Sequence, residues 1–233
     1  RDRGRCGRVA EGICVRLFDE DDFDNRPPFP DPEIRRTNLA SVLLTMADLQ
    51  LGEIEAFPFI DPPEGRYIRD GMRLLQMLKA MDERGRITRL GQQLARLPLD
   101  PRIGRVLSAG QAAQIAPAVR VLCSGLTIQE SRERPADKRQ AADEAQREFT
   151  DKQSDFISLL KLWDAFQSAK RDESTNGLRR WCHRHFIHFM RMREWEDLAR
   201  QLPQIERDLP WPAETGLGNV SLRACAVRDL ERY

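Results

Sequence analysis

Apolar side chains recur at intervals of three and four residues along most of this chain, a spacing that places them on one face of an α-helix. Gly52 follows the first run as a stop, and the turn 82–85 follows the second. The segment 86–88 then predicts a short strand. The order helix, loop, helix and hairpin predicts a winged helix. The two apolar runs are Leu39, Val42, Leu43, Met46 and Leu49, and Ile68, Met72, Leu75, Leu78 and Met81.

From Leu90 onward the pattern is helical throughout. Asp100 before Pro101 predicts one helix start, because a carboxylate can cap the amides and proline fits the first turn, and Pro117 marks another. A charged helix is predicted from Arg134 to Phe149. After a break at 151–154 an apolar stripe predicts a further helix, and after 174–177 a long helix is expected to reach about 202. The stripe is Phe156, Leu159, Leu160, Trp163 and Phe166.

The first eight residues carry the densest candidate chemistry. Arg5 and Arg8 stand three apart in a Gly-Arg-x-Gly-Arg pattern, which places both on one side of a helical turn. Planar guanidinium groups suit phosphate oxygens, and the glycines allow close approach of the backbone. An arginine-rich surface segment without a task is an equal alternative from these residues alone. A strand through Phe18, an acidic run and a proline-rich connector are predicted to follow.

Composition excludes little. The 233 residues suffice for one or two domains with a core. Formal net charge is +1, so any surface that attracts nucleic acid must be local. The five cysteines lack the paired spacing of a disulfide framework, and neither a signal peptide nor a long apolar span is visible. We therefore expect a cytoplasmic protein that does not enter a membrane.

One cluster invites a metal interpretation, since Cys182, His183, His185 and His188 lie within seven residues. Of the three histidines, only His185 and His188 share a helical face at the i, i+3 spacing, and no second cluster completes a tetrahedral set. Apolar and aromatic neighbours favour a packed helix, so no metal site is predicted. These neighbours are Trp181, Phe186, Ile187 and Phe189.

The chain carries a series of short motifs in one order, at 1–8, 32–42, 51–52, 57–63, 97–102, 132–135, 137–138, 141–145, 154–156 and 191–195. In order and spacing these motifs resemble those of DEAH-box RNA helicases, most closely the bacterial HrpA type, to about Leu202. Two departures stand out: Arg1-Asp2 replaces the Gln-Arg that opens the family's last motor motif, and the tail 211–233 does not match the oligonucleotide-binding fold that follows in the family.

The resemblance implies a mainly α protein with four segments. Residues 1–30 would be a remnant of the second RecA-like motor domain with a short strand, and 31–90 a winged helix. Residues 91–210 would form the helical ratchet domain, which in the family helps to line the RNA channel. Residues 211–233 would be a truncated or divergent start of a further domain.

The same resemblance implies the function of an accessory region in an ATP-dependent RNA helicase. Arg5 and Arg8 would contact the nucleotide phosphates as arginine fingers, with ATP and Mg²⁺ held in the complete protein. The chain has no Gly-rich phosphate loop and no Asp-Glu-Ala-His motif. We therefore expect that on its own it binds neither ATP nor Mg²⁺ and does not hydrolyse ATP. Its expected partners are single-stranded RNA and its own motor domains, and it is expected to be a monomer.

Arg134 and Lys138 are the candidate RNA contacts. They belong to a basic segment at a predicted helix start, where backbone amides and the helix dipole also favour phosphate. Glu133 and Asp137 are interleaved, so a salt-bridged helix start is the alternative. Tryptophans at helical spacing could stack on bases, but their apolar surroundings favour the core.

Two other functions remain open from the residues. A winged helix could bind DNA, and basic side chains on and just after its second helix would then contact the DNA backbone. Alternatively, the helical domain could be a scaffold that docks a protein. The basic residues in question are Arg66, Arg69, Arg73 and Lys79.

Overall fold

The computed structural model describes residues 13, 15, 17–25, 39–113 and 115–209. The chain divides into one unit over 1–37 and a second over 38–233. Within the described residues the structure is helical with two isolated β-bridges, which confirms the mainly α class. The helices are α1 (Glu20–Asp24), α2 (Ala40–Asp48), α3 (Gly65–Met77), α4 (Arg89–Arg96), α5 (Pro101–Ala112), α6 (Ala116–Thr127), α7 (Arg139–Ala145), α8 (Asp155–Asp172), α9 (Thr175–Arg184) and α10 (Phe189–Arg207), with a 3-10 turn at Arg147–Phe149.

The described part of the first unit contains α1 and no strand. The strand predicted through Phe18 is therefore wrong for the residues that can be checked, since Ile13 and Leu17 are 91% and 94% exposed. Among the described residues of this stretch, 13, 15, 17 and 18, none takes part in a strand or a bridge. The acidic run instead supplies the first turn of α1, where carboxylates suit the positive end of the helix dipole. The rings of Phe18 and Phe23 stack with centroids 6.2 Å apart.

The winged-helix region, residues 39–99, packs α2 against α3 and α4. Its core contains Leu39, Leu44, Leu75 and Leu94, all almost fully buried. The first two predicted helices are confirmed within a few residues of their expected ends, and Gly52 takes a positive φ of 85° after α2. The two helices therefore pack together as their apolar patterns predict.

In place of the predicted wing strand, the structure has a single β-bridge between Met81 and Ile87. Asp82 organises the turn, because its carboxylate accepts hydrogen bonds from the backbone amides of Arg84 at 2.9 Å and Arg86 at 2.8 Å. Thr88 then caps α4 by accepting from the amide of Gly91. A helix that begins at Arg89 leaves no length for a longer strand.

Gly91 makes the closest backbone approach in this region. A β-carbon there would lie 2.1 Å from the carbonyl oxygen of Ala80, well inside van der Waals contact. The amide of Thr88 donates to the same carbonyl at 2.9 Å. Only glycine therefore allows α4 to pack on the end of the turn that follows α3.

The ratchet region, residues 100–209, contains α5 to α10, and its helix starts follow the predicted caps. Asp100 accepts from the amide of Arg102 at the start of α5, with Pro101 in the first turn. Ser154 accepts from the amide of Ile157 at the start of α8, and Ser174 caps α9. The apolar stripe on α8 is confirmed at Leu159, Leu160 and Phe166, whereas Phe156 is 55% exposed.

Aromatic side chains fill the ratchet core. Trp195 is fully buried, and its indole Nε1 donates to the carbonyl of Val121 at 2.8 Å. Its ring lies 5.3 Å from that of Trp163. A β-carbon on Gly125 would lie 2.6 Å from the Trp195 ring, so α6 and α10 meet at a glycine. Trp195 is therefore a core residue, and Trp163 and Trp181 are partly buried against that core, as their apolar surroundings predict.

Two helix predictions in this region are wrong. The charged helix expected from Arg134 to Phe149 begins only at Arg139, because Arg132 forms a bridge with Ile187 and a turn follows at 136–137. The long helix expected after residue 177 is two helices, α9 and α10, separated by 185–188. Phe186 takes a positive φ of 53° there, although the segment contains no glycine or proline that would indicate a turn in the sequence. The predicted domain boundaries at 30, 90 and 210 stay predictions.

A buried polar junction ties the end of α10 to α5 and α6. Oε2 of Glu206 accepts from Arg120 Nε at 2.5 Å and from Gln111 Nε2 at 2.7 Å. Its Oε1 is buried without a hydrogen-bond partner among the described residues. Burial raises the pKa of Glu206 above its ordinary value, although Arg120 and Gln111 act in the opposite direction.

Candidate nucleic-acid interface

The candidate phosphate-binding arginines cannot be placed. Arg5 and Arg8 lie outside the described residues, so their assignment rests on the sequence alone. The same holds for the tail after Leu209. The described candidates are therefore those of the winged-helix and ratchet regions.

Arg134 lies in an irregular segment, five residues before α7 begins at Arg139. Its guanidinium Nη2 lies 2.5 Å from Oδ2 of Asp143, and both side chains are exposed. Hydrogen bonding with this carboxylate raises the pKa of Arg134. The helix-start argument is therefore wrong for this residue, and an RNA phosphate would have to compete with Asp143.

Lys138 keeps the predicted placement. It occupies the N-cap position of α7, directly before Arg139, and its side chain is exposed. Within the described ranges no carboxylate forms an ion pair with it. Its charge is therefore available to an anion near the amide end of a short helix.

A segment that we call the strap, residues 130–138, holds these two side chains in place. Its backbone crosses the turn between α9 and α10: the amide of Glu133 donates to the carbonyl of Phe186 at 2.7 Å, and the amide of His188 donates to that of Ser131 at 2.8 Å. The side-chain amide of Gln146 donates to the carbonyls of Glu133 and Phe186, at 3.1 Å each. The backbone of the strap is therefore fixed, and Lys138 is exposed at its end.

Charged groups reinforce the beginning of the strap. Arg132 makes two hydrogen bonds to the carboxylate of Glu130, at 3.0 and 2.9 Å, and Arg191 donates to the Glu130 carbonyl at 2.7 Å. Burial opposes ionisation of Glu130, but the hydrogen bonds from Arg132 outweigh it and lower its pKa. Arg132 and Arg191 are therefore structural cations.

A groove of about 460 Å³ opens between the strap, α9 and the start of α10. Its polar lining combines three potential cations, Lys138, Arg179 and His183, with the carboxylates Glu133 and Asp137. Apolar surface comes from Pro135, Phe186, Ile187, Phe189 and Met190. The groove therefore offers both charge and apolar surface to one ligand.

Arg179 and Phe189 form the most specific arrangement in this groove. The guanidinium carbon of Arg179 lies 5.1 Å from the centroid of the Phe189 ring, within the range of a cation–π contact. Sequence reasoning missed this pair. On one continuous helix, ten residues would separate the two positions by about 15 Å along the axis. Only the break at 185–188 brings them together.

The cysteine and histidine cluster is divided between different surroundings. Cys182 is buried in the ratchet core, and burial raises its thiol pKa to about 11. His185 donates through Nδ1 to the Trp181 carbonyl at 2.8 Å, and its Nε2 lies 3.1 Å from Oε1 of Glu148. His188 caps α10 by accepting from the amide of Arg191. The described part of the chain contains no group of three or more potential ligands placed to hold a metal.

The basic side chains proposed for DNA lie on or after α3. Arg66 pairs with Glu64 at 2.9 Å and lies 4.6 Å from the ring of Tyr67, so it is partly neutralised. Arg69 and Arg73 border a second cleft of about 670 Å³, together with Glu53 and Glu55. Lys79 lies in the turn after α3 with a positive φ of 59°. This surface mixes charges and shows no basic stripe.

No described helix is both long and apolar enough to cross a bilayer.

Two family models match consecutive parts of the chain. Residues 71–99 match the winged-helix part of the helicase associated domain (HA2). Residues 100–159 match its ratchet-like part. The predicted order of winged helix and ratchet is thereby confirmed.

Similar proteins extend the match to most of the chain. An ATP-dependent RNA helicase HrpA homolog of Haemophilus influenzae is 46% identical over 217 residues, and HrpA of Escherichia coli is 47% identical over 218 residues. These alignments cover 90% and 91% of this chain but 17% of each relative. The human probable ATP-dependent RNA helicase DHX34 is 33% identical over 88% of the chain and 18% of its own length. The chain thus spans less than a fifth of these relatives.

Proposed function

We propose that this chain helps to hold single-stranded RNA while the motor moves along it. The premise is that the chain belongs to the DEAH-box RNA helicases, as part of their C-terminal helicase-associated region. The similarity to RNA helicases over about nine-tenths of the chain supports RNA as the ligand. The observation that carries the proposal is the strap, which fixes the backbone beside Lys138 and leaves that cation unpaired within the described structure.

Lys138 and Arg134 have unequal parts in this proposal. Lys138 can contact a phosphate without losing a partner, whereas Arg134 must first leave Asp143. Exposed ion pairs are weak, so the exchange is feasible but costs part of the gain. We therefore expect Lys138→Ala to reduce RNA affinity more than Arg134→Ala.

The second part of the proposal concerns the motor. Arg5 and Arg8 would contact the phosphates of ATP in the complete protein, with Mg²⁺ neutralising the same phosphates. An arginine in this position acts on charge that develops as the γ-phosphoryl group is transferred. The motor domains of the same protein would be the partner of this region. We also propose that the protein acts as a monomer in the cytoplasm.

The test of the motor assignment uses the full-length protein that carries this chain. Arg8→Ala should reduce RNA-stimulated ATP hydrolysis by about 10³ to 10⁵, the range for arginine fingers, and leave RNA affinity nearly unchanged. ATPase rate and RNA affinity are measured in parallel, with Arg3→Ala as the matched control in the same segment. Near-normal ATPase in Arg8→Ala would remove the finger assignment.

The test of RNA holding uses the same protein without nucleotide. Lys138→Ala and Arg134→Ala are compared for affinity toward a single-stranded RNA and for its dependence on salt. If neither substitution, nor any in the adjoining groove, changes RNA affinity, the ratchet region does not hold RNA and the proposal fails.

A further inference from the structure

We infer that the groove between the strap, α9 and α10 is a subsite for one nucleotide of single-stranded RNA, with Arg179 as its central contact. The inference rests on the proposed function and deepens it, because it names residues and a binding mode that the sequence did not indicate. Arg179 would bind a phosphate, and the adjacent apolar surface would receive a base. Lys138 would contact a neighbouring phosphate.

The guanidinium of Arg179 is oriented by a neighbouring ring and is accessible to a ligand. Its guanidinium lies over the Phe189 ring, which orients the planar group without using its N–H donors. No carboxylate of the described residues forms an ion pair with it, in contrast to Arg132, Arg134 and Arg200. The donors of Arg179 are therefore available to phosphate oxygens.

The surroundings of Phe189 are also ordered. His188 caps the helix that Phe189 begins, and the strap fixes the backbone of that turn by two hydrogen bonds. Phe189 packs against the ratchet core on one side. Its next neighbour Met190 is 55% exposed at the mouth of the groove. Because Arg179 covers one face of the Phe189 ring and the core takes its other side, a base would meet the exposed side chain of Met190 and the partly buried Phe186.

Size and charge favour a single nucleotide. A volume of about 460 Å³ lies within the range of small-ligand sites, roughly 300–1,000 Å³, and is too small for a duplex. Lys138 and Arg179 supply charge for the backbone, while the carboxylates of Glu133 and Asp137 can accept hydrogen bonds from amino groups of bases. Single-strand sites of other proteins combine basic and aromatic side chains in this way.

The experiment measures binding of an unstructured 12-nucleotide RNA by fluorescence anisotropy, with the full-length protein and without nucleotide. The dissociation constant is determined between 50 and 300 mM salt for each variant. Loss of one phosphate contact on a single strand lowers the slope of log K against log salt by about 0.7, which corresponds to about five-fold weaker binding at 0.1 M salt. We expect this change for Arg179→Gln.

Two matched variants separate local contact from general charge. Arg180→Gln removes an exposed arginine from the next position of α9, about 100° around the helix and outside the groove lining, and should leave the slope unchanged. Arg179→Lys keeps the charge but not the planar fork, so it should keep the slope and bind more weakly than the unchanged protein. Circular dichroism of each variant confirms that the helices persist.

The outcomes distinguish this inference from the proposed function. If Lys138→Ala weakens RNA binding and Arg179→Gln matches Arg180→Gln, the ratchet holds RNA elsewhere and the subsite is overturned. If none of these variants changes RNA binding, the proposed function fails as well, and the groove is open to a protein segment instead. The subsite is supported if Arg179→Gln weakens RNA binding and lowers its salt dependence while Arg180→Gln changes neither.

Discussion

The winged-helix and ratchet regions are both helical, but the side-chain hydrogen bonds that close them span different distances in the sequence. In the winged-helix region the turn around Ala80, Met81 and Thr88 is closed by hydrogen bonds that span eight or nine residues. In the ratchet region the indole of Trp195 reaches a carbonyl 74 residues away, and Glu206 reaches a side chain 95 residues away. Local contacts can form early in folding, whereas distant ones must first close long loops.

This difference has a functional counterpart. The strap and the groove belong to the ratchet region, where residues 130–138 meet residues 185–190. A surface assembled from distant segments can be changed by small shifts between helices. The winged-helix region has its own core around Leu44 and Leu75, and residues 49–64 connect its first two helices.

The largest expected loss of stability lies in the ratchet region. Trp195→Ala should lower the free energy of unfolding by about 3–5 kcal/mol, because it leaves a large cavity beside Trp163 and removes the hydrogen bond to Val121. Urea titration followed by circular dichroism measures the loss. Trp195→Phe is the matched control: it keeps a ring and should lose less, about 1–3 kcal/mol. A loss below about 1 kcal/mol for Trp195→Ala would contradict the central place of this residue.

A smaller loss is expected in the winged-helix region. Gly91→Ala should destabilise by about 1–3 kcal/mol, since the new methyl group would lie 2.1 Å from the Ala80 carbonyl oxygen. Helix propensity alone predicts the opposite sign, a gain of up to about 1 kcal/mol. Gly65→Ala tests that alternative in the same region, because its nearest atom is the flexible tip of Arg69 at 3.3 Å.

Hydrogen exchange can show whether the two regions respond separately. Gly91→Ala should raise amide exchange in α2, α3 and α4 more than in α8 to α10, because the strained contact lies among the winged-helix elements. Equal acceleration across both regions would mean that they open as one cooperative unit. The two regions would then differ in the sequence range of their hydrogen bonds but would not unfold independently.

The smallest effect concerns acidity at the polar junction. Burial raises the pKa of Glu206 above its ordinary value of 4.5, so the folded state binds the proton more tightly than the unfolded state. The stability that this carboxyl contributes is present below pH 4.5 and is lost as pH rises through the raised pKa. Glu206→Gln stays neutral, so its thermal midpoint relative to the unchanged protein should improve as pH rises from 4 to 7.

Asp197→Asn serves as the control for this pH series. It removes an exposed carboxylate from the same helix, paired with Arg200, and surface pairs contribute little. Its midpoint should follow that of the unchanged protein across the series. A Glu206→Gln variant that also follows the unchanged protein would show that the junction does not penalise the charged carboxylate.

By itself, the sequence determined which segments are helical, where most of the helices begin and which family the chain resembles. Apolar spacing and caps such as Asp100 and Ser154 act within one turn of the helix that they start, so they can be read from neighbouring residues. The ratchet tryptophans could be assigned to the core for the same reason. Arg5 and Arg8 could be singled out by motif, and their role stays a prediction.

Only the tertiary structure decided the arrangement of the strap and the groove. Arg132 is extended because it pairs with Ile187, Arg134 is engaged because Asp143 lies beside it, and Arg179 meets Phe189 because the chain turns at Phe186. Each of these pairings depends on a partner that is distant in sequence or on a backbone turn that no glycine or proline marks. Periodicity describes one element at a time, so contacts between elements lie beyond it.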